Sequence, residues 1–518
     1  MKKYFNTAGP CNPNKHYILS SQNRCKGIMD LIEQEQYFVI HAARQSGKTT
    51  LLLELAEQLN NSGEYFALYC SLESVQGIND PENGIPAIVK NLKKNIRLNN
   101  ALKEYGFAQK ADYSDISNVL ENQLIDLCQK TDKPLVILFD EVDCLSNGTL
   151  IMFLRQLRSA YVTRSTIPFV NSICLTGMRN IRDYKASVRE DSQSLGSASP
   201  FNIVEETFNL KNFSLQDISE LYARHTQQTG QEFPKDVVER IYYYTQGQPW
   251  LINALPKHIV TKILGSDFSK PVLLQHADQA VNAIIDSRAP HIDSLLERLK
   301  EERVKKIIQP LIMGEDSDFD PLDDDYQYVV DLGLICETDE ALTVSNPIYS
   351  DVITRFLGSR SQLKMKSIFQ SPDYIKDNRL DMKKLLTAFQ QFWRRNSEIW
   401  VEQYKYKEAA PHLILQAFLY KIINHGGRIT REMAAGRRRL DLCVHYKNYD
   451  YPVELKIRHD EQIYEEGKKQ LADYIDKLGC DKEGWLVVFD RREDVSWDTK
   501  IFWETVEFDG KVINIVGA

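Results

Sequence analysis

Two stretches of the sequence carry residue types that do chemistry on phosphates. The first is AARQSGKTT, residues 42–50, between an apolar run and the amphipathic LLLELAEQL. It has Walker A spacing from Ala42 to Gly47, Lys48 and Thr49, with Ala42 where the first glycine usually stands. Such a turn wraps backbone N–H groups around a β-phosphate at a helix N-terminus, and a Cβ at position 47 would obstruct the approach. Ala43, Arg44, Gln45, Ser46 and Gly47 would form the cradle, Lys48 would reach the β- and γ-phosphates, and Thr49 would ligate Mg²⁺, with Thr50 following. The second is LVILFDEVD, which ends an apolar run in two carboxylates, Asp140 and Glu141. Asp140 would hold the Mg²⁺ sphere and Glu141 would orient or deprotonate the attacking water. A buried carboxylate is costly unless paired or metal-bound. Two of them at one strand end therefore point to ATP and Mg²⁺ as the cofactors.

A different constellation lies toward the C-terminal end. Asp441 opens one strand-like run, and Glu454 and Lys456 lie in the next, YPVELKI. The two-residue period of a strand puts Glu454 and Lys456 on one face and Val453, Leu455 and Ile457 on the other. This is the D…ExK pattern of PD-(D/E)XK nucleases, in which Asp441 and Glu454 would hold Mg²⁺ or Mn²⁺. The metal would activate water and neutralise phosphate charge, and Lys456 would stabilise charge developing at the phosphate. Glu432, in ITREMAAGRRRLD, is a further candidate ligand or hydrogen-bond acceptor, and Gln470 a supporting group on the following helix. Arg437, Arg438 and Arg439 could engage a nucleic-acid backbone. The plain alternative for ExK alone is a salt-bridged, solvated hairpin face. His412, His445 and His459 show no paired metal-ligand spacing and read as structural or surface residues.

The elements that must position these groups are legible in outline. QYFVIH, YFALYCSL, PLVILFDE and FVNSICLTG are continuous apolar runs, suited to parallel strands covered on both faces. The polar stretch from Ala186 to Ser199 reads as a loop, helical patterns follow from about Asn212, and LTVSNPIY suits the strand of a winged helix. The acidic run 323–325 reads as a solvated loop. The polar stretch 359–380 reads as a linker; a helix (APHLILQAFLYKIINHGG), the strands DLCVHY and YPVELKIRH, the helical EQIYEEGKKQLADYIDKLG and the strand GWLVVFDRR come after it.

Length and composition set bounds. A chain of 518 residues exceeds one ordinary core. Its 43% hydrophobic and 26% charged residues are those of a globular protein. It has no apolar stretch of membrane-spanning length, MKKYFNTAGPCNPNKHY turns polar after its lysines and does not read as a secretory signal, and the nine cysteines show no CxxC pairs. A cytoplasmic protein without a membrane partner is expected. A net charge of −8 does not announce a nucleic-acid binder, although local clusters matter more than totals.

Across nearly its whole length the sequence resembles bacterial and archaeal AAA-ATPases fused to a PD-(D/E)XK nuclease domain. The resemblance runs through FNTAGPCNPNKHY, HAARQSGKTT, TGMRNIRDY, SPFNI, HTQQTGQEF, GQPWLINAL, DLGLI, NPIYSDVI, the segment PHLILQAFLYKIINHGGRITREMAAGRRRLDL, VELKI and WLVVFDR. Departures are Ala43 and Ser46, where Pro and Thr are common, and Asn180, where Asp is common. It implies an α/β fold: a P-loop NTPase core of the AAA/STAND kind with a parallel sheet over 1–210, a helical domain over 211–289, a winged helix over 290–358, a linker over 359–390 and a nuclease-like α/β domain over 391–518. It implies Arg179 as γ-phosphate sensor, with Arg182 second, and Pro249 of TQGQPW near the adenine. The implied function is an ATPase whose nucleotide state regulates nucleic-acid cleavage, DNA being the expected substrate, in mobile-element control or defence. A homo-oligomer and a protein trigger are further expected partners. The alternative is an ATP-switched binding, signalling or assembly protein with a non-cleaving nuclease fold.

Overall fold

The computed structural model describes residues 2–20, 24–107, 112–177, 203–313, 319–337, 342–353, 356, 374–376, 379–403, 415, 418–419, 427–434, 439–447, 449–458, 462–478, 483–490, 492 and 495–518. The chain forms two compact units, Met1–Leu295 with Phe319–Ile348, and Leu296–Asp318 with Tyr349–Ala518.

In the first unit, β1 (Tyr37–His41), β2 (Phe66–Ser71), β3 (Leu135–Asp140), β4 (Ser172–Gly177) and β5 (Val204–Asn209) form a parallel sheet in the order β2-β3-β4-β1-β5. The four expected runs are strands, buried because helices cover both faces. One face packs against Pro81–Leu98, Val119–Lys130 and Asn147–Thr163. The other packs against α1 (Ile28–Glu33) and α2 (Lys48–Ser62). The fifth strand, VEETFN, is not an apolar run because it pairs only with β1 at the sheet edge and stays partly exposed. With all strands parallel, the turns after β1 and β3 emerge at one edge, where ligand sites of open α/β sheets lie.

Helices follow at Leu215–Thr229, Lys235–Thr245, Pro249–His258, Leu274–Asp286 and Pro290–Arg298. Ser214 and Asp217 close a reciprocal capping box at the first of them. The chain start is anchored here: Phe5 packs among the rings of Tyr17, Tyr222, His225 and Phe233. The acidic run 323–325 is not a loop. Asp323 caps helix Asp324–Asp331, its Oδ1 accepting from the amides of Asp325 and Tyr326, which places carboxylates at the favourable helix end. A short hairpin, β6 (Ile335–Glu337) and β7 (Leu342–Val344), follows. The segment 290–358 thus has helices followed by a hairpin, but it divides between the two units rather than forming one.

The second unit includes helix Glu302–Met313 and a small hairpin, β8 (Ile375–Lys376) and β9 (Arg379–Leu380). Its main sheet contains β10 (Gly427–Ala434), β11 (Arg439–Tyr446), β12 (Tyr449–Arg458), β13 (Glu483–Asp490), β14 (Trp503–Phe508) and β15 (Lys511–Gly517), in the order β10-β11-β12-β13-β15-β14. The first three form an antiparallel meander, β13 runs parallel to β12 and β15, and β14 is antiparallel to β15. Helix Gln462–Leu478 covers one face, setting Leu471, Tyr474 and Ile475 against Cys443, Leu486 and Val488. Helix Met382–Gln403 with Leu415, Phe418 and Leu419 covers the other. That first helix starts inside the segment expected as a linker, 359–390. Leu385, Leu386, Phe389, Phe392 and Trp393 repeat at helical spacing and are buried, so the apolar stripe makes 382–390 part of the core. No described helix is long and apolar enough to cross a membrane. The eight cysteines among the described residues are free thiols.

Candidate nucleotide site and carboxylate row

The turn after β1 takes the shape its sequence requires. Gln45 has φ 57° and Gly47 φ 91°, left-handed backbone that glycine adopts without strain. Gly47 is the N-cap of α2. Lys48 is buried at the first helical position, and its Nζ donates to the carbonyls of Ala42 at 2.8 Å and Ala43 at 3.0 Å. An ammonium has three donors, so the loop's own carbonyls hold the side chain in place and leave one donor for a phosphate. Burial lowers the Lys48 pKa, opposed by the carboxylates of Glu141, Asp143 and Asp140.

Asp140 ends β3 beside this loop. Its Oδ2 accepts from Thr49 Oγ1 at 2.6 Å and from the Tyr69 hydroxyl at 3.0 Å, while Oδ1 accepts from the Glu141 amide at 3.0 Å. A hydroxyl and a carboxylate at this separation are the hard oxygen donors that suit Mg²⁺. Glu141 has φ 57°, an uncommon conformation for a residue with a Cβ. Strain of this kind is retained where the surroundings over-determine it, often at functional sites. Burial raises the Glu141 pKa; Lys48 opposes the shift, and Asp140 and Asp143 add to it. A partly desolvated carboxylate of this kind is a better proton acceptor than one in water.

A cleft of about 500 Å³ opens above the loop. Its floor is 44–50 with Glu141, and its walls come from far away in sequence: segments within 6–11 and 17–19, with Arg24, Phe213, Pro249, Trp250, Asn253, Pro290 and Ser294 among them. The first wall segment is pinned at both ends of the site. The Cys11 amide donates to Thr50 Oγ1, and Thr7 receives bonds from Trp250 Nε1 and Lys257 Nζ. Pro249 starts helix Pro249–His258 behind Gly247, where any Cβ would meet the Phe213 carbonyl at 1.8 Å. The glycine of TQGQPW is therefore a packing requirement.

Sequence reading missed Tyr69 and Arg24. Arg24 Nη1 donates to the Ser46 carbonyl at 2.9 Å and Nε to that of Lys211 at 2.7 Å, and the guanidinium lies over the Phe213 ring. Nη2 is buried and has no hydrogen-bond partner in the structure, and burial lowers the Arg24 pKa to about 10. A lone arginine ahead of a strand gives no spacing signal. Two loop side chains bond to the helix that starts at Pro290: Arg44 donates to Ser294 Oγ at 3.1 Å, and Gln45 Oε1 lies 2.5 Å from His291 Nδ1. His291 stacks on Trp250, and burial lowers its pKa to about 4. Ser46 is buried. Arg179 and Arg182 lie outside the described residues.

In the second unit, strand register organises the acidic residues. Arg431 pairs with Leu442 and Met433 with Leu440, so Glu432 stands across from Asp441. Leu442 pairs with Val453, so the next position along brings Asp441 across from Glu454. Glu432, Asp441 and Glu454 thus occupy one row across β10, β11 and β12. The Glu454 side chain is buried, and Lys456 Nζ lies 3.0 Å from its Oε1. Gln470 is half-buried on helix Gln462–Leu478, its Oε1 buried without a hydrogen-bond partner in the structure. Arg437, Arg438, His412 and His459 lie outside the described residues. His445 is not isolated: its Nδ1 lies 2.5 Å from Asp450 Oδ1, and Cys443 is close to both.

Comparison with known proteins bears on the first unit. The AAA-like domain family matches residues 11–355. No curated protein matches the chain. Similar solved structures include the Walker-type ATPase PABY2304 of Pyrococcus abyssi, at 14% identity, covering 67% of this chain and 99% of its own, with TM-score 0.48. The Aeropyrum pernix Orc1 protein, solved in complex with DNA, is 11% identical over 66% of this chain and 95% of its own, with TM-score 0.34. The Thermotoga maritima RuvB Holliday junction branch migration motor is 12% identical over 68% and 95%, with TM-score 0.33. Since the family match spans residues 11–355, well over half of the sequence, this chain belongs to the AAA-like domain family and is an AAA-type P-loop ATPase.

Proposed function

We propose that this ATPase governs a metal-dependent nuclease of the PD-(D/E)XK type in its second unit, acting on DNA. In the first unit, Lys48 would bind the β- and γ-phosphates, Thr49 and Asp140 would hold Mg²⁺, and Glu141 would accept the proton of the attacking water. Tyr69 fixes the Asp140 carboxylate through its hydroxyl bond. Pro249 and Trp250 flank the base, while Arg44, Gln45, Ser46 and Thr50 shape the loop. Mg²⁺, when bound there, would supply charge neutralisation at the transferring phosphate.

The observation that carries the nuclease reading is the acidic row. Three carboxylate-bearing positions, Glu432, Asp441 and Glu454, stand on adjacent strands, and a lysine follows two residues after the last. Oxygen donors of this kind suit Mg²⁺ or Mn²⁺, which when bound supplies an activated water and charge neutralisation at the phosphate. Lys456 is within reach of the same carboxylate and presents a cation to a phosphate. Gln470 orients the site from the covering helix.

One observation favours a second reading, a nucleotide-switched binding protein that does not cut. Glu454 and Lys456 already form an ion pair and could satisfy each other without a metal. The two readings separate when purified protein meets linear, circular and single-stranded DNA and RNA, with and without ATP and with Mg²⁺, Mn²⁺ or Ca²⁺. Cleavage with Mg²⁺ or Mn²⁺, and binding alone with Ca²⁺, supports the nuclease. Binding without cleavage under every metal condition supports the switch.

A further inference from the structure

The geometry points to a transition-metal site, zinc being the best fit, built by Cys443, His445 and Asp450 near the turn of the β11–β12 hairpin. Cys443 and His445 are two residues apart on one strand and therefore share a face. Asp450 pairs directly with His445 across the ladder. The Cys443 thiol, an imidazole nitrogen of His445 and a carboxylate oxygen of Asp450 all lie within 4.8 Å of one another. Zinc bonds of about 2.0–2.3 Å set tetrahedral ligand atoms roughly 3.3–3.8 Å apart. Small side-chain rotations therefore suffice: the His445–Asp450 pair opens from 2.5 Å while the sulfur moves in.

The donor set decides the ion. Thiolate with imidazole suits zinc, cobalt and ferrous iron, and discriminates against Mg²⁺ and Ca²⁺, which take oxygen ligands. A histidine–aspartate pair by itself is an ordinary surface contact, and a buried cysteine by itself is an ordinary apolar residue. Their convergence on one face from two strands is what makes a site. Cys443 is fully buried, whereas the His445 and Asp450 side chains are 20% and 36% exposed, so an ion enters from the hairpin end and meets the sulfur last. Three protein ligands leave a fourth position for water. Pro452, opposite Cys443, adds no donor. The bound ion would clamp together the two strands that carry Asp441 and Glu454, and its binding does not depend on the nuclease reading.

The test uses the full chain, stripped with chelator and titrated with Co²⁺ in excess Mg²⁺ and ATP, which keep the nucleotide site filled. About one equivalent should bind with a thiolate-to-cobalt charge-transfer band, be displaced by Zn²⁺ and raise the thermal midpoint. Cys443→Ser should remove the band, Asp450→Asn and His445→Ala should weaken binding at least about tenfold, and Cys11→Ser should leave it unchanged. The control matters because Cys11 lines the nucleotide cleft. The site is refuted by absence of the band in wild type, by its persistence in Cys443→Ser, or by its loss in Cys11→Ser. If Cys443→Ser does not fold, full-affinity binding in His445→Ala refutes it instead.

Discussion

The nucleotide cleft and the acidic row, the two sites proposed for phosphate chemistry, are assembled in opposite ways. The cleft gathers residues from 6–11 and 17–19, Arg24, the loop 44–50, Glu141, Pro249, Trp250, Asn253 and Ser294 from across nearly three hundred positions of one unit. The row comes from one continuous meander, β10 to β12, and its geometry is set by register alone. A cleft built from distant segments responds to whatever moves them. Its loop is tied to helix Pro290–Arg298 through Arg44–Ser294 and Gln45–His291, and to the chain start through Thr50. A row on adjacent strands has its backbone spacing set by the ladder, so the proposed control would come through access or metal.

The contrast can be broken from either side. The largest effect expected is from Lys48→Ala, which removes the buried cation of the phosphate loop and should abolish ATP binding in a nucleotide-binding assay. Glu141→Gln should still bind ATP but hydrolyse it about 10²- to 10⁴-fold more slowly, the usual contribution of a positioned base. Because burial raises the Glu141 pKa, the acid limb of wild-type hydrolysis should lie above the ordinary glutamate range, near 4.3. Hydrolysis must fall as pH drops through that raised value, and the limb should vanish from the residual activity of Glu141→Gln.

Lys456→Ala should lower DNA cleavage about 10²- to 10³-fold, the loss typical of one transition-state donor, with ATP hydrolysis unchanged. Equal losses in both activities would mean that the substitution damages the fold. Arg24→Ala should weaken ATP binding by a smaller amount, about 10- to 100-fold, the range for one hydrogen bond to a charged group. Unchanged affinity in that variant would make Arg24 a purely structural link between Ser46 and Lys211.

The smallest effect concerns stability. The folded pKa of His291, about 4, lies below the unfolded value of about 6.5. As pH falls the unfolded chain takes the proton first, so the contribution of the neutral ring is intact above about 6.5 and is lost on the way down to about 4. His291→Gln should flatten the thermal midpoint over that window by a few degrees. An unchanged slope would show that the ring is not held neutral against Gln45 and Trp250.

What was legible in the sequence follows the same division. The phosphate loop and the Asp140–Glu141 pair depend on local spacing and were visible, as were four of the five strands of the first sheet. β5 was not, because an edge strand has no need of an apolar run. The walls of the cleft were hidden: nothing in FNTAGPCNPNKHY says that Cys11 reaches Thr50, and nothing around Arg24 says that it lies over Phe213 against the loop. In the second unit, period-two spacing puts Glu454 and Lys456 on one face, but only the ladder sets Glu432 and Asp441 in a row with Glu454. His445 looked isolated because its partner, Asp450, lies five residues away around a turn, where ligand-spacing rules do not look. Residues 382–390 read as linker because the preceding polar stretch masked the apolar stripe that starts at Leu385.

We propose that one chain joins an ATPase to a metal-dependent nuclease. The most direct measurement is the rate of DNA cleavage by wild type and by Glu454→Gln, with Mg²⁺ and ATP, alongside the ATP hydrolysis of the same samples. The expected result is chelator-sensitive cleavage by wild type and none by Glu454→Gln, with equal ATP turnover in the two. Cleavage at the same rate in both, or cleavage that persists in excess chelator, would contradict it.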